Sequence, residues 1–407
     1  MSSMDHPRQA ARRDRPSPLQ DRRFHGHAIQ AVVLLALLGG IGWLAANLAI
    51  NLDRRGLDIS FRFLLTPTGY DINQTPIPYD SRDTHLRAAL VGAVNTVIVA
   101  VLACATATVL GVVAGVLRLS GNWIVARLMA VYVEMFRNIP VLIWIIIVFT
   151  VIANLLPAPG AFRGEDAARA LFGVIPVTNR GVYLPWPSLA GGASAWSWAI
   201  VGAVLAASVA AALGLRGWAG RRQAATGLRP RTWPAAVALL VLPISLALWA
   251  LGLSWDVPVL QGFNFAGGMH LRNSLLALWI ALSIYSGAFI AENVRAGILA
   301  VDRGQTEAAA ALGLRPRRVM ALVVLPQALR IVVPPLISAY LNITKNTSLA
   351  IAVGYLDITG TLGGITLNQT GRALECVLLL MLFYLAASLA ISAVMNLYDR
   401  SIAIVDR

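Results

Sequence analysis

The chain has 407 residues, is 57% hydrophobic, carries only 13% charged residues, and has a formal net charge of +14. A soluble domain holds about 25% charged and about 45–50% apolar residues, so this composition, gathered into long runs, excludes an ordinary soluble protein and marks a polytopic membrane protein. The arginine excess is no nucleic-acid footprint, because the basic residues flank apolar runs instead of interleaving with aromatics.

Residues 1–28 form a basic tail with Arg8, Arg12, Arg13, Arg15, Arg22 and Arg23. The apolar run at 29–50 is long enough to cross a ~30 Å hydrocarbon core at about 1.5 Å per residue. It lacks the shorter core and A-x-A-like site of a cleavable signal, so it reads as the first span. Further apolar segments cover 89–117, 139–156, 195–215, 235–254, 271–299, 331–352 and 374–397. The seventh of these eight segments holds Pro334, Pro335, Asn342, Lys345 and Asn346, which predicts a broken helix facing protein instead of lipid.

Lysine and arginine bias orients the spans. The basic tail is expected inside the cell and the 51–87 loop outside. Arg118, Arg127 and Arg137 mark an inner loop, and 157–194, with Arg163, Glu165, Asp166, Arg169 and Arg180, an outer one. Arg216, Arg221, Arg222, Arg229 and Arg231 lie in an acid-free inner loop, and Asp256 falls outside. The 300–330 loop, with Arg303, Arg315, Arg317, Arg318 and Arg330, falls inside, as does the C-terminal end with Arg400 and Arg407. Trp123, Trp186, Trp196, Trp218, Trp233 and Trp255 lie near span ends, as interfacial aromatics do. The expected fold is all-α: a polytopic helical bundle of about eight spans, both termini inside. The 157–194 segment, rich in Pro, Gly and Ala, reads as an ordered outer loop or a short interfacial helix.

Cys104 and Cys376 lie in apolar runs, and His6, His25, His27, His85 and His270 form no ligand spacing, so no metal is expected. The inner loop between the sixth and seventh segments contains QTEAAAALGL, Gln305 to Leu314. Glu307 suits a helix start through the macrodipole. Ala308, Ala309, Ala310 and Ala311 are strong helix formers with little side chain. Gly313 can adopt positive φ and end the helix, and Pro316 suits the first turn of the next. The loop therefore reads as helix, sharp turn, helix, with a bare first-helix face that another backbone can approach closely.

Glu307-Ala308-Ala309, Gly313 and Val323-x-Leu325-Pro326 together resemble the signature loop of ABC importer permeases, with Val323 where Ile is usual. VEMFRNIPVLIW, Val133 to Trp144, resembles that family's acidic-x-Phe-Arg-Gly-Thr-Pro segment, with Asn138 and Ile139 in place of Gly and Thr. YSGAFIAENVRAGILAVDRGQTEAAAALGL, LPQALRIVVPPL and KNTSLAIAVGYLDI resemble the polar amino acid uptake branch. The resemblance covers about 88–155 and 268–400. It leaves out the first span and an insertion at about 157–267, as in the longer permeases of proteobacterial glutamate, glutamine, aspartate and asparagine or general L-amino acid importers. It implies a type I transmembrane domain over 88–400 in the bacterial inner membrane. The implied partners are a second permease, a cytoplasmic ATPase dimer and a periplasmic amino-acid-binding protein. The ATPase-docking residues it implies are Glu307, Ala308, Ala309, Gly313, Leu325 and Pro326.

A P-loop needs lysine after glycine, and the single lysine, Lys345, follows no glycine-rich loop. ATP is therefore expected on a partner, with no catalysis and no cofactor on this chain. Polar residues within spans are candidates for a translocation path: Glu292, Arg295, Asn342, Lys345, Asn346, Thr347 and Ser348. Glu292 and Arg295, three apart, equally suit a structural ion pair. Lys345 suits a substrate carboxylate or a pair with Asp357. Glu134 and Arg137 suit a packing pair or a gate element. A secondary transporter would favour matching interrupted helices in two halves, and only one interrupted segment is found. A membrane enzyme would need a catalytic constellation that no motif supplies.

Overall fold

A backbone in hydrocarbon must bond to itself, so the long apolar runs fold as long helices. The computed structural model describes residues 22–54, 58–163, 168–189, 195–228 and 230–402. The expectations placed on His6, Arg8, Arg12, Arg13, Arg15, Glu165, Asp166, Arg229 and Arg407 lie outside the described residues. The chain divides into a unit ending at Phe61 and a unit from Arg62 onward. The first unit holds α1 (Arg22–Arg54), whose apolar side chains, among them Val32, Leu35, Trp43 and Leu44, are exposed, as suits a lipid-facing span.

In the second unit, α2 (His85–Leu117) starts at the cap Thr84, whose hydroxyl accepts from Arg87 N at 3.3 Å. Asn122 caps α3 (Trp123–Asn138), accepting from Ile124 N at 3.0 Å and Val125 N at 3.3 Å. Ile139 and Pro140 then break the helix, because a residue before proline is pushed to extended backbone. α4 (Val141–Leu155) leaves at 107° to α3. Its 15 residues reach only about 22 Å, short of the hydrocarbon thickness. The predicted third span is thus a bent pair, and among the described residues seven helices are long and apolar enough to cross a membrane, or up to eight with that pair.

The 157–194 region departs from the all-α expectation. It contributes β1 (Val177–Thr178), β2 (Gly181–Leu184) and β3 (Trp186–Ser188). The helices α5 (Ala195–Thr226) and α6 (Trp233–Ala250) pack on each other. They are followed by β4 (Ser254–Asp256), β5 (Val259–Gln261), β6 (Asn264–Ala266) and β7 (Met269–Arg272). β2 pairs antiparallel with β1 and β7, β3 with β4, and β5 with β6. The β3–β4 ladder closes the base of the α5–α6 hairpin, and β7 leads directly into α7 (Asn273–Leu299). Tyr183 anchors this β-module: it is buried, stacks on His270 with centroids 4.1 Å apart, and donates to Asn264 Oδ1 at 2.5 Å. Burial pushes the Tyr183 hydroxyl up and holds His270 below the usual imidazole range.

α2 and α7 run parallel, with Gly111 against Ile290 and Gly115 against Ala291 and Val294. A Cβ on Gly111 would sit 2.5 Å from Ile290 Cβ, and one on Gly115 2.6 Å from the Ala291 carbonyl oxygen. Ala103, Ala107 and Ala114 continue this small-residue stripe and are buried. Between helices in lipid no hydrophobic force operates, so close packing of bare backbone supplies the attraction.

After α7 the chain turns through α8 (Arg303–Ala311), α9 (Pro316–Val319) and a π-helical segment, Met320–Val324, into α10 (Leu325–Asn346). Pro334 and Pro335 lie inside α10 without ending it. The break falls at Asn346, where bonding tightens to a 3-10 turn, Thr347–Val353, closed by Gly354 at φ 70°. A π-helical stretch, Thr359–Thr366, and α11 (Leu367–Thr370) lead to α12 (Ala373–Ile402). Cys376 is buried and Cys104 half-buried, both as free thiols.

The segment 66–84 straps the end of the bundle from which α2 and α7 start. Asn95 Nδ2 on α2 donates to Gln74 O and to Leu356 O, each at 2.9 Å, and Gln74 Nε2 donates to His270 O at 3.4 Å. The far end of the bundle carries α8.

Candidate functional site

α8 begins at Asp302, whose carboxylate accepts from Gly304 N at 2.7 Å. Asp302 therefore caps the helix, and Glu307 lies one turn further in, exposed. Gly313, at φ 76°, makes the sharp turn in a left-handed conformation that L side chains rarely adopt. Pro316 starts α9 as expected. Ala308, Ala310 and Ala311 are exposed, and Leu312 stands out at 82% exposure. Ala309 differs: it is buried in its own chain among Val301, Val319, Val324 and Ala328. Leu325 is exposed and Pro326 half-buried in the first turn of α10, behind the loop. The small helix thus has an inner side that pins it to the bundle and a bare outer side.

The second feature is an open cavity of about 740 Å³ between α7 and α10. Tyr285, Ser286, Phe289 and Asn293 line it from α7, and Pro334, Pro335, Ser338, Ala339, Asn342 and Asn346 from α10. Spacings of three, four and seven place each set on one helix face. Asn342 and Asn346 of the expected path thus meet at this cavity. Lys345 is exposed beside Asn346 and forms no salt bridge among the described residues. Ser348 donates to Lys345 O at 2.8 Å. Thr347 is fully buried, donating to Thr344 O at 2.8 Å, and does not line the cavity.

Asp357 does not pair with Lys345. It is fully buried, its Oδ1 accepts from Gly360 N at 2.8 Å and its Oδ2 from Tyr384 Oη at 3.4 Å. It caps the π-helical stretch instead.

Glu292 pairs with Arg295 at 2.6 Å, as the spacing predicts, and also with Arg118 of α2 and, at 3.8 Å, with Arg137 of α3. Glu134 is exposed and does not pair with Arg137, whose guanidinium lies over the Phe289 ring, 5.2 Å from its centroid. Sequence reasoning missed the convergence of Arg118 and Arg137 on Glu292, because neither lies within a helical turn of it. It also missed the lining set Tyr285, Ser286, Phe289, Asn293 and Ser338, although their helical spacing was available. Among the described residues no group of three or more His, Cys, Asp or Glu side chains could hold a metal.

A family model described as binding-protein-dependent transport system inner membrane component matches residues 224–404. The chain is 51% identical, over 96% of its length and 96% of the relative's, to a glutamate/glutamine/aspartate/asparagine transport system permease of Rhodobacter capsulatus. It is 42% identical, over 96% of its length and 95% of the relative's, to a general L-amino acid transport system permease of Rhizobium johnstonii. Full-length identity at this level, together with the bundle of long apolar helices, shows that the chain is a multi-pass inner-membrane protein of the amino-acid ABC transporter permease family.

Proposed function

We propose that this chain is the membrane-spanning half of an importer for polar L-amino acids: glutamate, glutamine, aspartate, asparagine or a broader range. The observation that carries the reading is full-length similarity to permeases named for those substrates. The polar cavity between α7 and α10 supports it, since Asn293, Asn342, Asn346, Ser286 and Ser338 offer donors and acceptors to a zwitterion. The cavity forms one wall of the path, and a second permease closes it from the other side. The strapped end faces the periplasm and its amino-acid-binding protein, and the α8 end faces the cytoplasm.

ATP binds and is hydrolysed on a partner ATPase dimer. The outer side of α8, with Glu307, Ala308, Gly313 and Leu312, seats in a groove of that dimer. Ala309, packed with Val324 and Ala328, ties α8 to the start of α10, so that movement of the seated helix reaches the cavity wall and rocks the bundle between inward and outward states.

Co-purification of the ATPase subunit with wild-type and Ala308→Asp chains tests the coupling. Undiminished association of the variant would remove α8 from the docking role. Amino-acid uptake driven by an imposed ion gradient in vesicles holding this chain alone would replace the importer reading with a secondary transporter.

A further inference from the structure

Three guanidinium groups converge on the single carboxylate of Glu292, leaving two positive charges in excess at one spot on α7. Such an excess in a partly desolvated place is costly unless an anion shares it. The three arginines are not equivalent. Arg118 has 14% side-chain exposure and Arg295 31%, and both contact Glu292 closely. Arg137 is 41% exposed and reaches Glu292 only at 3.8 Å. It is the group with donors to spare.

Its other support is the Phe289 ring, and Phe289 lines the α7–α10 cavity. Asn293, the neighbour of Glu292 in sequence, lines it as well. The lining residues themselves carry no charge, yet an amino acid brings a carboxylate. Arg137 therefore stands at the α8 end of a neutral polar cavity as the cation with the weakest hold on its own partner. A guanidinium over an aromatic face can swing between two acceptors while keeping its cation–π support.

We infer that Arg137 is a substrate-contacting residue for release to the cytoplasm: it exchanges Glu292 for the substrate carboxylate at the inner end of the path and draws the amino acid through. Glu292 is then the returning partner that releases the substrate. The inference rests on the importer reading and adds a residue and a polarity to it.

The test uses proteoliposomes holding the whole complex, with ATP inside and the binding protein and radiolabelled L-glutamate outside. Arg137→Gln is expected to lower uptake per ATP hydrolysed about tenfold, the scale of losing one charge-assisted hydrogen bond. Arg137→Lys keeps the cation and is expected to stay within about threefold of wild type. Equal losses in both variants, or no loss in either, overturns the inference. Failure of the glutamine variant to assemble while the lysine variant assembles also overturns it, because the charge then serves packing. The same losses are expected in vesicles of phosphatidylcholine with or without phosphatidylglycerol. A loss confined to the anionic vesicles assigns Arg137 to a lipid headgroup and overturns the inference. A wild-type complex that takes up no amino acid under ATP sinks the importer reading itself, whereas active wild type with indistinguishable variants sinks only the role of Arg137.

Discussion

Toward α2, helix α7 sets Ile290, Ala291 and Val294 against Gly111 and Gly115, with no room for a single added carbon. Toward α10 the same helix sets Tyr285, Ser286, Phe289 and Asn293 around a cavity of about 740 Å³. One side holds by excluding everything between two backbones. The other leaves space and lines it with amides and hydroxyls that need partners. The difference shows how a permease subunit can hold its helices tightly and still be passable: α7 is locked to α2, and to α10 where Gly297 meets Val332, while the opening lies one stretch earlier on the α10 side.

Adding volume breaks the comparison most severely on its tight side. Gly115→Val places a Cβ 2.6 Å from a backbone oxygen and 2.9 Å from Val294 Cβ, contacts that no rotamer relieves. It is expected to cost about 3 kcal/mol or more, seen as loss of monodisperse protein in detergent. On the open side Ser338→Val should shift thermal unfolding by under about 1 kcal/mol, because its neighbours enclose space instead of filling it. Equal destabilisation by the two would erase the distinction.

Ala308→Asp comes next. Ala308 is exposed, so the chain should stay folded while ATPase co-purification falls about tenfold from an unpaired charge buried at the interface. Gly313→Asp is a poorer probe, because its φ of 76° strains any side chain and distorts the turn as well. Asn342→Leu keeps the helix and removes a polar group from the cavity wall. Uptake should fall about fivefold through one lost hydrogen bond, with unfolding unchanged.

The smallest effect belongs to the β-module. Burial holds His270 below its ordinary range, so the folded module favours neutral imidazole. The stability it contributes is fully present above the unfolded imidazole pKa of about 6.5 and is lost as pH falls through the lower folded value. Protection of the β2 and β7 amides, taken as exchange relative to the intrinsic rate at each pH, should therefore fall between pH 7 and pH 5, and His270→Gln should flatten that dependence. Identical pH profiles would separate the module's stability from His270.

The spans were legible because a run of some twenty apolar residues has few other uses. The turn at Gly313 was legible because φ above zero and a following proline are local demands. The strands were not: the longest has four residues, and β2 finds β7 across the α5–α6 hairpin, so the pairing of Tyr183 with His270 has no local mark. Of the residues that marked the seventh segment as broken, Asn346 stands at the break, while Pro334 and Pro335 sit within the helix. Lys345 and Asp357, close in sequence, were natural partners on paper. The backbone of the π-helical stretch claims Asp357 first, through Gly360 N. Asn342 and Asn346 were found as polar residues in an apolar run, but the α7 half of their cavity looked like ordinary helix sequence.

The account stands most directly on energy coupling. Proteoliposomes with the two permeases and the ATPase, supplied with binding protein and radiolabelled L-glutamate, should accumulate the amino acid only when ATP is enclosed. Replacing Ala308 with Asp should lower that accumulation about tenfold, in step with the lost ATPase association, while an ion gradient has no effect. Accumulation without ATP, or undiminished accumulation with Asp at 308, would contradict it.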